Sequence, residues 1–170
     1  ARIEAGNSGQ TANDLRDTPD TMHVVYEFES PKNGPFTHVY NLRATSGFSP
    51  DGRPEHGGHG MMFIGQKGTL RTDRFTWDVV PEKDRGLQPE DGKADGWIVI
   101  AAHHKDFFDC IRSRKECASN IESMHKTTTA CHLGNISWRV GHRLHWDPVA
   151  EKCFRDPEHK IPDEAANNLL

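Results

Sequence analysis

Residues 21–43 read TMHVVYEFESPKNGPFTHVYNLR, and apolar side chains recur at every second position on both sides of the centre. Met22, Val24, Tyr26 and Phe28 share one face, with His23 and Glu27 on the other. Further on, Phe36, His38, Tyr40 and Leu42 fall together, opposite Thr37, Val39, Asn41 and Arg43. A period of two is that of a half-buried strand. Between the two runs lies SPKNGP, where Gly34 is free to take positive φ and Pro35 has no N–H for a ladder. The stretch therefore predicts an antiparallel hairpin.

Upstream, residues 1–20 are polar and rich in Gly, Asn, Ser and Asp, and read as an irregular lead-in. Downstream, HGMMFIG, then TLRTD after a GQKG turn, then the alternating Phe75, Trp77 and Val79, continue the strand pattern as a meander. Residues 81–96 (PEKDRGLQPEDGKADG) are charged and aperiodic and read as an exposed loop rather than a boundary between folding units.

The second half changes period. His103 and His104 open a helix whose apolar stripe is Phe107, Phe108 and Ile111, and Arg112, Arg114 and Lys115 suit its carbonyl end. Ser119 and Glu122 have capping-box spacing at the head of a second helix over 120–140, which Gly141 is placed to end. Gly134 inside that helix costs about 1 kcal/mol against Ala, and close packing on the sheet is its best explanation. Two short strands around Pro-Val-Ala-Glu and a last helical turn near Pro162 close the chain. Strands first and helices after, without βα alternation, predict an α+β fold: an open, largely antiparallel sheet with helices packed on one face. At 170 residues the length prior is a single domain over 1–170.

Bulk properties narrow the function. Hydrophobic content is 34 % and net charge −4, with a pI near 6.3 and a mean hydropathy of −0.77. An acidic balance argues against nucleic-acid binding, which needs a basic face. The polar composition predicts loops or surfaces completed by partners. No apolar run reaches the roughly 18 residues of a membrane span, and no signal peptide opens the chain. It starts at Ala1 without a Met, as a piece cut from a longer protein would. Cys110, Cys117, Cys131 and Cys153 form no CxxC pair and read as free thiols; a Cys110–Cys117 disulfide is the alternative for an exported chain.

The residues offer little chemistry of their own. Glu55-His56-Gly57-Gly58-His59 resembles a helical zinc motif only in letters, because two glycines between the histidines disfavour a helix and the acid precedes the first His. A solvated loop, or a loop lining a polar pocket, is the reading of His56 and His59. His103 and His104 diverge by about 100° on a helix and are poorly placed to share one ion. No nucleophile elbow surrounds Ser46, Ser49 or Ser113, and no GxGxxG or GxxxxGK[ST] cradle occurs. No catalytic residue, no cofactor-binding residue and no metal ligand is assigned within the chain.

TPDTMHVVYEF, HGMMFIGQKGTLRTDR, HHKDFFDCIRSRK and IESMHKTTTACHLGNISWRVGHRLHWDP together resemble the C-terminal half of bacterial Gfo/Idh/MocA oxidoreductases, in the right order. The resemblance implies an NAD(P)-dependent enzyme acting on sugars, inositols or related polyols. It also implies an N-terminal Rossmann domain and a C-terminal α/β domain whose open sheet mediates oligomerisation. The family's dinucleotide loop, its E-K-P lysine and its proton-transfer Asp and His all precede the point where this chain starts, so none maps onto a residue here. The expectations are a C-terminal substrate-side and oligomerisation domain, inactive alone, with NAD or NADP bound by a missing N-terminal partner domain. A homo-oligomer through the sheet face is expected, in the cytoplasm or exported to the periplasm by a twin-arginine signal. His103 matches a histidine that recurs in the family's helix; with Arg43 and His56 or His59 it is expected to border the polyol pocket. A free-standing binding module of the same fold and a histidine-dependent metal hydrolase or lyase are the rival readings.

Overall fold

The computed structural model describes residues 2–9, 18–32, 34–43 and 59–170. Its contacts group the chain into two compact units, Ala1–Thr45 with Ile121–Leu170, and Ser46–Asn120.

The first unit is built on a five-stranded antiparallel sheet. Strands β1 (Arg2–Gly9), β2 (Thr21–Ser30) and β3 (Gly34–Arg43) come from the start of the chain, and β8 (Leu144–Asp147) and β9 (Lys152–Phe154) from its end; their order is β3-β2-β1-β8-β9. The hairpin of residues 21–43 is present, with Val25 opposite Val39 and Phe28 opposite Phe36. Met22, Val24 and Tyr26 are buried as the alternation requires, and Phe28 and Leu42 pack against them.

Helix α2 (Ile121–Val140) covers this face, burying Leu133, Gly134, Ile136 and Ser137. Gly134 is needed there: a Cβ would stand 2.5 Å from the Tyr26 hydroxyl oxygen and 3.3 Å from Val24 Cγ2. Gly141 follows with φ 73°, the left-handed residue that ends the helix. The helix opens at Ile121, one residue later than the capping box implies, and the Glu122 carboxylate goes to Lys126 Nζ at 2.5 Å. The short helix α3 (Glu164–Asn167) closes the core, its Ala166 buried and its Asn167 side chain bonded to both backbone groups of Cys153.

The second unit holds a four-stranded antiparallel meander, β4 (Met61–Ile64), β5 (Gly68–Thr72), β6 (Thr76–Pro81) and β7 (Glu90–Lys93), and helix α1 (Gly96–Ser113). Arg71 on β5 pairs across the strands with Asp78 on β6.

The α+β class agrees with the sequence reading; four details differ. Residues 2–9 form a strand, not a lead-in, because β2 on one side and β8 on the other supply a ladder that RIEAGNSG does not advertise. The charged 81–96 stretch contains β7, an edge strand, where charge guards an unpaired ladder. The strands of the first half divide between two sheets rather than forming one. Helix α1 begins at Gly96, capped by Asp95, so His103 and His104 lie inside it rather than opening it. None of its residues is buried, and Phe107, Phe108 and Ile111 stay about half exposed.

Candidate functional site

The first unit contains a cavity of about 1230 Å³ beside the β2–β3 hairpin. Its aromatic floor follows from the strand pattern. Side chains two apart on β2 share a face, so Tyr26 and Phe28 stack with centroids 5.9 Å apart and planes 8° from parallel. Phe36, directly across from Phe28 in the ladder, extends the row at 5.1 Å and 24°. Trp146 on β8 contributes a fourth aromatic, and Pro35, Pro148 and Pro157 add rigid apolar surface.

Polar groups come from the opposite wall. His125, Lys126 and Thr129 on α2 face the cavity, joined by Arg143 and His145 near β8 and by His159. His125 Nε2 lies 2.7 Å from Glu151 Oε1, tying α2 to the β8–β9 turn. His159 stacks on Phe154 at 4.9 Å and approaches Asp147 at 3.6 Å. Asp147 accepts from the Ala150 and Val149 N–H groups, and these bonds hold its carboxyl below the usual range. Glu151 supplies the acid of this wall, while the exposed Glu27 and Glu29 alternate along β2 with the floor residues.

Tyr26 is not an acid–base group. Its hydroxyl donates to the Ala130 carbonyl at 2.9 Å, and burial, with Cys131 and Tyr40 nearby, pushes its pKa to about 12. Tyr26 and Trp146 themselves belong to the buried core, so the open part of the floor is Phe28 and Phe36, beside the hydrogen-bonding groups of α2.

A second cluster sits under α3. Asp163, fully buried, caps α3 through the Ala166 N–H and meets Arg155 Nε at 2.9 Å and His142 Nε2 at 2.5 Å. Burial works to raise this carboxyl, but the His142 and Ala166 hydrogen bonds and the neighbouring charges outweigh it and hold the pKa down. Ser137 Oγ donates to the His142 carbonyl at 2.9 Å, while both His142 ring nitrogens already face acceptors, Val140 O and Asp163 Oδ2. No ring nitrogen is left to activate the serine, so the Ser-His-Asp set is a structural lock and not a triad.

Three of the four sequence-predicted site residues fall among the described residues. Arg43 ends β3 in the first unit, whereas His59, just before β4, and His103, within α1, belong to the second. His59 and His103 are both exposed, and the ring of His103 lies 6.2 Å from that of His104. His56 lies outside the described residues. The cavity was missed because its members are spread from β2 to the loop after β9; only the Tyr26-x-Phe28 and Phe36 pairing was readable locally. Among the described residues no group of three or more His, Cys, Asp or Glu is placed to hold a metal ion, and the four cysteines are free.

The described residues do not fit a dinucleotide. A pyrophosphate needs the bare N–H groups of a helix N-terminus behind a glycine loop. Here α1 is capped by the Asp95 carboxylate, bonded to the Trp97 N–H at 2.9 Å, and no GxGxxG loop precedes α1 or α2.

Residues 95–170, running from the cap of α1 to the chain end, match a family described as the oxidoreductase family, C-terminal alpha/beta domain. No curated protein and no solved structure matches the chain. The matched region supplies the helical wall of the cavity and its β8–β9 end, and the aromatic floor comes from the strands ahead of it.

Proposed function

We propose, from the premise that residues 95–170 are the C-terminal domain of a Gfo/Idh/MocA-type oxidoreductase, that this chain is the substrate-side and oligomerisation part of an NAD(P)-dependent enzyme acting on a sugar, inositol or related polyol. The observation that carries this reading is the family match itself. It is supported by the absence of a GxGxxG cradle in the sequence and by the Asp95 carboxylate capping α1, which favour a separate N-terminal domain as the dinucleotide's site. When bound there, the nicotinamide supplies hydride chemistry. This chain's part is to bind and orient the substrate. His103, Arg43 and the histidines of residues 56–59 border the polyol in the assembled enzyme, where imidazole and guanidinium groups offer directed hydrogen bonds to hydroxyls.

The test is to assay this chain joined to its own dinucleotide-binding domain for nicotinamide reduction across a panel of aldoses, inositols and alditols. Turnover with at least one of them, absent from the chain alone, is the expected result. No turnover with any of them in either nucleotide direction overturns the reading in favour of a free-standing binding module.

A further inference from the structure

We infer that Cys110 and Cys117 form a reversible disulfide at the end of α1, closed by thiol exchange with a small-molecule disulfide such as oxidised glutathione. The site lies wholly within the second unit, and it does not depend on what the assembled enzyme turns over.

The fold brings the two segments together. Cys110 stands in the last turn of α1, and Arg114, left-handed at φ 59°, turns the chain back after Ser113. The returning segment is tied to the helix by Asp106, whose Oδ2 accepts from the Ala118 N–H at 2.9 Å. Cys110 Sγ lies 3.8 Å from the other oxygen of that carboxylate and 3.5 Å from the Glu116 carbonyl oxygen. Cys117 is the residue between those two anchors, Glu116 and Ala118. A planar peptide holds its Cα about 3 Å from the Glu116 oxygen, so Cys110 Sγ is at most about 6.5 Å from that Cα. Closing the bond requires Cys117 Sγ to leave the Ser119 carbonyl, 3.2 Å away, and turn toward Cys110. Closed, the bond adds a covalent tie to the one Asp106 already makes.

Burial points the same way. Over residues 101–118 only Asp106, Asp109, Cys110 and Cys117 are partly covered, and the rest are exposed. The two thiols are thus sheltered by each other's segments yet open to a solute, whereas Cys153 is fully buried in the first unit. Partial burial and then the Asp106 carboxylate hold the Cys110 thiol above its ordinary value, so Cys117 meets the oxidant first. Arg114 and Lys115, exposed between the two cysteines, favour the approach of an anionic disulfide.

The exchange balances in two steps. The Cys117 thiolate attacks one sulfur of the small disulfide and expels the other as a thiolate, which takes up a proton. Cys110, deprotonated in turn, attacks Cys117 Sγ and expels the second small thiol. One protein S–S bond replaces the small one, two electrons and two protons pass to the small thiols, and excess thiol reverses both steps.

The experiment incubates the chain in glutathione buffers of graded oxidised-to-reduced ratio, folded and in concentrated urea, followed by acid quenching, alkylation and tryptic mapping. Trypsin cuts after Arg112, Arg114 and Lys115, all between the two cysteines, so the bond is read as a linked pair of peptides. The linked pair is expected to replace both free thiols in the folded chain. Unfolded chain should need a ratio about tenfold more oxidising, because only the fold holds the two segments together. Cys110→Ser and Cys117→Ser should each abolish the linked pair, and Cys131→Ser should leave it unchanged. Circular dichroism checks that the variants fold and that urea unfolds the chain. Mixed disulfides with glutathione alone, a bond through Cys131 or Cys153 instead, or the same ratio for folded and unfolded chain overturns the inference.

Discussion

At the residue scale the molecule turns on Gly134 and Tyr26. The glycine admits the tyrosine hydroxyl beneath α2, and that hydroxyl anchors the helix through the Ala130 carbonyl. Gly134→Ala should therefore destabilise the chain by about 1–3 kcal/mol, despite the better helix propensity of alanine. In a Tyr26→Phe background, where the clashing oxygen is gone, the same substitution should cost measurably less. Denaturant unfolding of the four proteins reads the difference, and strict additivity would contradict the close contact. The glycine was legible in the sequence as a helix interruption with a packing cause; its partner was not, because residues 26 and 134 meet only through the fold. Asp163 gives a pH dependence with a definite sign. Its folded pKa is depressed, so its contribution is present above the ordinary carboxylate range and is lost as pH falls through the folded value. Asp163→Asn should lower stability at neutral pH by about 1–3 kcal/mol and flatten the acid limb of the stability profile; an unchanged acid limb would contradict the lock. For the expected polyol residues, His103→Ala and Arg43→Ala in the assembled enzyme should each lower kcat/KM by more than about threefold, roughly 0.6 kcal/mol. If both stay within that factor, neither lines the substrate.

At the element scale, what was legible was periodicity and what was hidden was partnership. The β2–β3 hairpin stands where its period-two pattern put it, because each strand carries its own buried face. Strand β1 was invisible because its place comes from neighbours, and β7 because a charged edge strand resembles a loop. Helix α1 was read short because WIVIAA, ahead of the histidines, has no helical stripe of its own, and its Asp95 cap lies inside a charged run. The outer face of β2–β3 bears on self-association. His23, Val25 and Glu27 stand exposed opposite Asn41, Val39 and Thr37, with the two valines paired at the centre. A two-fold contact of this face with itself would place those valines together. Val39→Lys should then shift the chain toward monomer in light scattering, and a parent chain monomeric at high concentration would contradict the proposed contact.

At the scale of the whole molecule, the chain concentrates its buried core in one unit. The described core residues, from Met22 to Ala166, all belong to the first unit, while Ile64 and Trp97 of the second remain 80 % and 81 % exposed. A polar composition with surfaces left for partners was readable from the bulk numbers; the division into two units was not, since the Gly- and Pro-rich run over 47–60 that follows the boundary reads equally as a loop feeding a strand. No helix among the described residues is long and apolar enough to cross a membrane. The proposed function divides the labour, with substrate bound by this chain and the dinucleotide by another domain. Calorimetric titration of the chain alone with NADH and NADPH tests it most directly. No binding in the micromolar range is expected for either, because the Asp95 carboxylate caps α1 and no GxGxxG cradle for a pyrophosphate occurs in the chain. Micromolar affinity for either nucleotide would contradict it.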